Sequence, residues 1–506
     1  MSVLEVSTAP RTLRSGVFPI SIVVAGALVA LLVTGDPAYV LVPVIAATVL
    51  WAAYNAPMRW TMIALLALAV FADITPHNPV TKDIWVSIAS PWQATLLENL
   101  NKVSGIEALK VSGMEVALLA LALLAALRAT VLHSVDQRDR VPAPKVLVIA
   151  LAISCAAVLW LGFLGAARGG DMRQAFWQCR QLLWMPAFAG LFCYALQGPR
   201  DLRVLLVALT ATSCAKVAMA AYFVLRVARP FGVEPPTATS HNDTVLYVVV
   251  LATWVAIAID KPSFARIAMA AAVWGWTLFG VALNHRRTAY VSLAATLLLL
   301  LIGLSGRARR RALIVSLACL PVLLPYLALA RHRSYGIFTP AAHLWSAIEQ
   351  KDLSSATRDI ENFNLVVTMK QHRLIGSGWG HEYIELVKGD DISKAFEQYR
   401  YIAHNSVLWL LGIGGEVGFT LLGLPLVVGA FLAARARTFA RTHGERVAAF
   451  AAIAVIACYL LQAWSDMGVI SWTASGLLAC ALALGGKLAV SSGAWPHPTR
   501  ASEQAT

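Results

Sequence analysis

Long apolar stretches recur along almost the whole chain and limit its possible folds more than any other feature. A bilayer core takes about 20 apolar residues per helix, and stretches of that kind alternate with short charged breaks from Val17 to Val490. Hydrophobic residues make up 58% of the 506 residues and charged residues only 13%, which lies outside the composition of soluble globular domains. The sequence therefore predicts an all-α polytopic membrane protein.

The hydropathy pattern predicts fourteen apolar spans, or twelve if two short ones are re-entrant or interfacial. The first run follows Arg11 and Arg14 and lacks a convincing small-residue cleavage site, so we interpret it as a helix and not as a signal peptide. The spans are residues 17–34, 38–55, 60–75, 113–131, 145–165, 181–197, 203–227, 244–260, 266–284, 288–304, 312–330, 406–433, 447–464 and 471–490.

Lysine and arginine in short loops predict the orientation, because positive charge resists translocation across the membrane. Alternate loops between Arg59 and Arg446 are rich in these residues, and we assign them and both termini to the cytoplasm. Residues 76–112 and 331–405 then form two long loops on the other face, which is periplasmic in a Gram-negative cell. The net charge of +14 arises mostly from basic residues in short loops between the apolar spans. We interpret these residues as topology signals, and no nucleic-acid partner is predicted.

The second long loop is too long for a simple connector. Ile360, Phe363, Val367 and Leu374 recur within it at helical spacing. We therefore predict a helical periplasmic loop domain that covers the membrane domain. The predicted domains are 1–330 with about eleven transmembrane helices, 331–405 as the loop domain, 406–490 with the C-terminal helices, and 491–506 as a cytoplasmic tail.

The sequence offers little support for metal or cofactor chemistry. Its seven cysteines lie in or at the edge of apolar segments, and none lies in residues 331–405. They form no disulfide framework and no spaced zinc motif, so we interpret them as small core residues. Acidic residues of the outward face, such as Asp390 and Asp391, show no ligand spacing, and we predict that no metal and no cofactor is bound.

Two adjacent arginines, Arg286 and Arg287, are the most unusual residues of the outward face. Only a few polar residues separate the apolar spans on either side, so both guanidinium groups lie near the membrane interface. This placement costs roughly a few kcal/mol unless the charge is paired or meets an anion. The planar donors of arginine match phosphate oxygens, which favours a lipid-linked pyrophosphate as ligand. Snorkelling to lipid headgroups is the alternative.

Other polar residues of the outward half are weaker candidates. Arg358 lies roughly 200 degrees of helical rotation from Ile360 and so points toward solvent or a cleft. His404 precedes the re-entry into the bilayer, and an imidazole there can take a proton near neutral pH. Glu416, inside a span, is expected to bond to another helix or to belong to a site. The glycine-rich residues 376–380 predict a tight turn.

Four features of the sequence, taken in order, are Arg-Thr-Ala-Tyr at 287–290, Arg358, Gly-Ser-Gly-Trp-Gly at 376–380, and His404-Asn405 followed by Gly-Glu-Val-Gly. Together they resemble the O-antigen ligase and polymerase superfamily. The resemblance covers roughly residues 245–435, and the earlier helices match only as hydrophobic spans. It implies a GT-C-like, metal-independent glycosyltransferase that takes a glycan from undecaprenyl pyrophosphate in the periplasm, which is compatible with the 12–14 transmembrane helices predicted from hydropathy. In the ligases the acceptor is the sugar core on lipid A.

The resemblance also implies roles for individual residues. Arg287 matches the family arginine of the outward loop, Arg358 that of the long loop, and His404 the histidine before the last helical group. Arg286 is a neighbouring candidate for the same role, and Arg180 is added from its position alone. The arginines would hold the leaving pyrophosphate while His404 accepts the proton of the acceptor hydroxyl, in a single displacement that inverts the anomeric carbon.

Three other functions remain open at this point. An O-antigen polymerase uses the same donor but extends another lipid-linked chain. A protein O-oligosaccharyltransferase usually carries a larger outward domain after its last helices, which is not expected here because about 16 residues follow the final span. A transporter or flippase would explain many helices and buried arginines, but it predicts broken helices in related halves, which the sequence does not indicate.

Overall fold

The computed structural model is helical, and no β-strand is present among the residues that it describes. The predicted spans at 17–34 and 38–55 lie outside these residues. The described residues are 56–74, 89–105, 110–129, 140–232, 238–333, 338, 341–342, 345, 353–389, 391, 393 and 396–496.

Thirteen helices longer than ten residues organise the described part of the chain. The fifth continues through a π-helical segment at Phe223–Ala228. The helices are α1 (Met58–Ala72), α2 (Gly113–Leu127), α3 (Lys145–Ala167), α4 (Met172–Ala195), α5 (Leu202–Tyr222), α6 (Asp243–Asp260), α7 (Phe264–Leu283), α8 (Arg287–Gly303), α9 (Gly306–Ala330), α10 (Leu353–Gln371), α11 (Ser406–Phe439), α12 (His443–Ser465) and α13 (Trp472–Ser491).

Eight helical segments of the described residues are long and apolar enough to cross a membrane, and α1, α2 and α8 are shorter apolar helices. Each of the twelve predicted spans that fall among the described residues overlaps a helix. The predicted class, an all-α multi-pass membrane protein, is therefore confirmed. The total of 12–14 crossings stays a prediction.

Helix α4 begins nine residues before the span predicted from residue 181. Asp171 caps its first turn by accepting from the N–H of Gln174 at 2.9 Å. The next turn carries the buried Gln178, whose amide donates to the Tyr401 carbonyl at 2.6 Å and accepts from the Gly380 N–H at 2.7 Å. A hydropathy criterion excludes such polar turns, although tertiary hydrogen bonds stabilise them.

Helix α13 lies at the centre of the bundle. All of its residues from Trp472 to Val490 are buried, and it packs against α4, α11 and α12. Trp472 stacks on Trp184 of α4, with ring centroids 3.5 Å apart. This packing fixes the short connection between α12 and α13, which contains Asp466.

Helix α11 is broken at Gly415, where φ is 63° and ψ is −175°. Residues 373–378 provide replacement hydrogen bonds for backbone groups that the break leaves unpaired. The N–H of Gly378 donates to the Ile413 carbonyl at 2.9 Å, and the N–H of Glu416 donates to the Arg373 carbonyl, also at 2.9 Å. The segment after α10 is thereby bonded through its backbone to α11.

The glycine-rich residues 376–380 pack into the bundle beside α3. Trp379 is completely buried, and its indole donates to the Val158 carbonyl at 2.8 Å. Gly378 has a φ of 85°, and a Cβ atom added there would lie 2.3 Å from the backbone nitrogen of Gly165. Only glycine fits so close to another backbone without strain. These glycines therefore serve helix packing.

Candidate active site

Three small polar cavities adjoin one another at the end of the bundle where α12 ends. Two of them, of about 240 and 210 Å³, are lined by Glu361 and His404. The third, of about 110 Å³, is lined by Arg286 and Arg287. Arg358 of α10 lines all three. The structure thus brings together four of the five residues that the sequence indicates as site residues.

His404 lies just before α11 and is held by Glu361 of α10. Its Nδ1 atom is 3.3 Å from Oε1 of Glu361, and its backbone N–H donates to the same carboxylate. Asn405 caps α11 by accepting from the N–H of Leu408 at 3.1 Å, and it donates to Asn362 at 3.1 Å. Two consecutive residues therefore bond to α10, and this orients the imidazole.

The hydrogen bond to Glu361 raises the pKa of His404 above its ordinary value of 6.5. Burial and the charge of Arg358 oppose this shift, whereas the charges of Glu361 and Asp466 add to it. Because Nδ1 faces a carboxylate, Nδ1 carries the proton of the neutral ring and Nε2 is free to accept one. This is the arrangement of a general base.

His241, which belongs to no motif of the sequence, joins Arg286 to Asp466. Its Nδ1 atom lies 2.8 Å from Oδ2 of Asp466, and its Nε2 atom bonds to a terminal guanidinium nitrogen of Arg286. The buried side chain of Asn284 bonds at 3.1 and 3.2 Å to the backbone of residues 239–240. The loops that carry His241 and Arg286 are therefore fixed to each other.

The charges in the third cavity are strongly coupled. Burial raises the pKa of Asp466, but the hydrogen bond and charge of His241, a backbone N–H and the charge of Arg286 outweigh burial and lower it to about 2. Burial lowers the pKa of Arg286 to about 10, with Asp466 opposing and the charges of Arg358 and Arg287 adding. Arg286 stays protonated at neutral pH. Its buried Nε atom has no hydrogen-bond partner among the described residues, which favours an anionic ligand.

Arg180 makes its contacts away from these cavities. Its guanidinium forms an ion pair with Glu115 and donates to the Lys110 carbonyl at 2.7 Å and to Asn99 at 3.1 Å. The same group lies over the ring of Trp177, 4.4 Å from its centroid. Arg180 lines none of the three cavities, and these contacts connect α4 to the first turn of α2 and to the segment before it.

Glu416 also lies outside the three cavities. Its Oε1 atom accepts from Nε of Arg373 at 2.7 Å, and both side chains are largely exposed. The carboxylate therefore forms a surface ion pair beside the break in α11. The sequence predicts that Glu416 bonds to another helix or belongs to a site. Its partner in the structure, Arg373, instead lies just beyond the end of α10.

Three residues that complete the cluster are not apparent from the sequence as site residues, namely His241, Glu361 and Asp466. Two of them share a weak signal, since His241 and Asp466 are polar residues close to the end of an apolar span, whereas Glu361 lies within the long loop. Many loop residues share that signal, and only the folded structure shows that His241 pairs with Asp466 and that Glu361 pairs with His404.

The fold and these cavities define a class of protein, namely a helical multi-pass membrane protein with a cationic, histidine-containing site at one end of its bundle. Residues 270–423 match a family model described as O-antigen ligase. This match shows that this part of the chain is similar to the O-antigen ligase and polymerase superfamily, which confirms the resemblance found in the sequence. Four candidate site residues lie within the match: Arg286, Arg287, Arg358 and His404.

The family indicates glycan transfer of the ligase or polymerase type, with lipid-linked glycans in the membrane as substrates. A comparison with curated proteins finds no match for the chain. His241, Asp466 and Arg180 lie outside the matched residues, and the first two enter the site by their contacts alone.

Proposed function

We propose that the protein is an O-antigen ligase of lipopolysaccharide biosynthesis. It moves O-antigen polysaccharide from undecaprenyl pyrophosphate to the lipid A-core oligosaccharide, as an inverting and metal-independent glycosyltransferase. The position of Arg358 carries the proposal, because this one cation lines both the cavities of His404 and the cavity of Arg286 and Arg287. The proposed base, His404, and the proposed anion-binding arginines therefore lie around the same small group of adjoining cavities.

The arginines are proposed to stabilise the leaving group. The bond between the anomeric carbon and the pyrophosphate oxygen breaks, and negative charge develops on that oxygen. Preorganised donors in a site of low polarity stabilise such charge far better than water does. Arg286 is held by His241 and retains its Nε donor, and Arg287 and Arg358 add further positive charge.

His404 is proposed to act on the acceptor. Its Nε2 atom takes the proton of the attacking core hydroxyl while the oxygen forms a bond to the anomeric carbon from the face opposite the pyrophosphate. Glu361 holds Nδ1 of His404 and stabilises the imidazolium that forms. A single displacement of this kind inverts the anomeric carbon, and undecaprenyl pyrophosphate departs.

The direction of the helices supports a periplasmic site in the bacterial inner membrane. Helix α8 begins at the site with Arg287, whereas α12 ends at the site with Ser465. The arginine-rich segments at 307–311 and 435–446 adjoin the other ends of these helices and of α11. Positive loops remain in the cytoplasm, so the three cavities face the periplasm, with residues 331–405 on the same side.

A shift of the pH profile is expected for Glu361→Gln. His404 works as a base only when neutral, so transfer is lost as the pH falls through its pKa, which Glu361 holds above 6.5. Removing the carboxylate lowers that pKa, and the acid limb of kcat should move to lower pH, with a lower plateau. Glu397→Gln removes an exposed carboxylate paired with Arg173 and should leave the profile unchanged. An unshifted limb in Glu361→Gln would remove Glu361 from the mechanism.

Reconstitution with purified substrates tests the function itself. The protein, in micelles with undecaprenyl-pyrophosphate-linked polysaccharide and core-only lipopolysaccharide, should produce long-chain lipopolysaccharide on a gel. Activity should persist in excess chelator, because the arginines supply the charge stabilisation. Growth of the lipid-linked glycan without transfer to the core would identify a polymerase. Complete loss in chelator, restored by magnesium or manganese, would overturn the metal-independent mechanism.

A further inference from the structure

A large cavity among the described residues lies outside the candidate active site. It has a volume of about 970 Å³ and is lined by parts of α5, α6, α12 and α13. That volume is near the upper limit of about 300–1,000 Å³ for ligand sites. Its walls are mostly apolar, with residues such as Leu209, Val249, Val455 and Leu484. We propose that this cavity binds a phospholipid with an anionic headgroup.

The cavity lies at the opposite membrane face from the candidate active site. Helix α12 lines it with residues from His443 to Val455, and the last residue of the same helix, Ser465, lines the polar cavities. From Val447 to Ser465 a helix rises roughly 27 Å at about 1.5 Å per residue. The hydrocarbon core is about 30 Å thick. The cavity therefore opens at the cytoplasmic end of the bundle under the proposed orientation.

Three arginines at the mouth give the cavity its charge. Arg200 and Arg203 are exposed, and Arg266 is half-buried with one guanidinium nitrogen 2.7 Å from the Lys261 carbonyl. Glu445 is the one acidic residue among the described lining residues. Its carboxylate already accepts two backbone N–H groups at the start of α12, at 2.9 and 3.1 Å. The mouth thus has an excess of positive charge at the level of the headgroups.

An anionic phospholipid matches both parts of this arrangement. Its phosphate accepts from guanidinium groups, which bind phosphate through paired donors. Its acyl chains fill an apolar space that water does not favour. A further protein segment or a second copy of the chain would fill the apolar part but would offer no phosphate to the arginines.

Native mass spectrometry can test the proposal on the full-length purified protein. With equal amounts of phosphatidylglycerol and phosphatidylcholine, the wild type should retain one phosphatidylglycerol per chain. Double substitution of Arg203→Gln and Arg266→Gln should weaken that binding roughly 30-fold. Ala451→Phe, which fills part of the cavity from α12, should abolish that binding by excluding the acyl chains. A matched control is the pair Arg309→Gln and Arg310→Gln, exposed residues that do not line the cavity, and it should bind as the wild type does.

Several outcomes would overturn the proposal. Equal retention of the two lipids would show that the headgroup charge is not recognised. Equal loss in the control pair would reduce the effect to general attraction at a basic surface. If the wild type retained no phospholipid, lipid binding would be excluded, and the occupant of the cavity would be another segment of the chain or a second copy. Each result is independent of glycan transfer, because no donor or acceptor is present.

Discussion

His404→Ala is expected to lower the rate of glycan transfer by about 100- to 10,000-fold, the range for loss of a general base. Binding of the lipid-linked donor should remain close to that of the wild type, because the arginines of the third cavity keep their contacts. The measurements are single-turnover transfer to core-only lipopolysaccharide and equilibrium binding of the donor to the same preparation. His372→Ala, at an exposed histidine of the same outward loop, is the control and should transfer normally.

Two results would count against His404 as the base. Transfer at the wild-type rate would show that another group accepts the proton. Loss of donor binding as complete as in an arginine variant would show that the imidazole contributes to the pyrophosphate site instead. Circular dichroism and thermal unfolding of the variant guard against misfolding as the cause.

Arg286→Lys is expected to fail almost as badly as Arg286→Ala, with kcat/KM lower by about 100- to 1,000-fold, the range for loss of one charge-stabilising donor. Lysine keeps the charge, but its single nitrogen cannot both reach His241 and place a donor where Nε of Arg286 now lies. Donor binding should fall together with turnover, unlike in His404→Ala. The measurements are kcat/KM for the lipid-linked donor and its equilibrium binding.

Arg173→Lys is the matched control for Arg286. Arg173 lies in the first turn of α4, at the end of that helix that is predicted to face outward. Its guanidinium is exposed and paired with Glu397 at 2.5 Å. An exposed ion pair contributes little, so lysine should replace arginine there without loss. If Arg286→Lys were as active as the wild type, a simple point charge would suffice and paired recognition of pyrophosphate would be excluded.

The membrane-spanning helices could be predicted because their length and apolar content follow from the thickness of the hydrocarbon core. Helix α12, for example, is predicted at 447–464 and found at His443–Ser465. The difference at its start is a capping box made by Thr442 and Glu445, polar residues that a hydropathy pattern leaves out.

The candidate site could be predicted only in part. His404 and Arg287 stand in motifs, whereas His241 and Asp466 are 225 positions apart and meet only because α6 and α12 pack together. Arg180 is a candidate by its position alone. No pattern in the sequence indicates that Glu115 binds its guanidinium.

The break in α11 shows the same limit. Two adjacent glycines, Gly414 and Gly415, mark a weak point in the helix. The sequence does not indicate that residues 373–378 supply the missing hydrogen bonds, because such backbone pairing depends on tertiary structure and not on residue type.

The broken helix also affects how the substrates of the proposed reaction would meet. Its backbone bonds fasten the segment after α10 to α11, so α10 and α11 form one rigid unit. This unit holds Arg358 on α10 and His404 just before α11 in fixed relative positions. Both substrates are lipids confined to the plane of the bilayer, and their encounter is a two-dimensional search that ends at a preassembled site. The entropy of assembling that site is lost once, during folding. The frequency of productive encounters then depends on the surface densities of the two lipids.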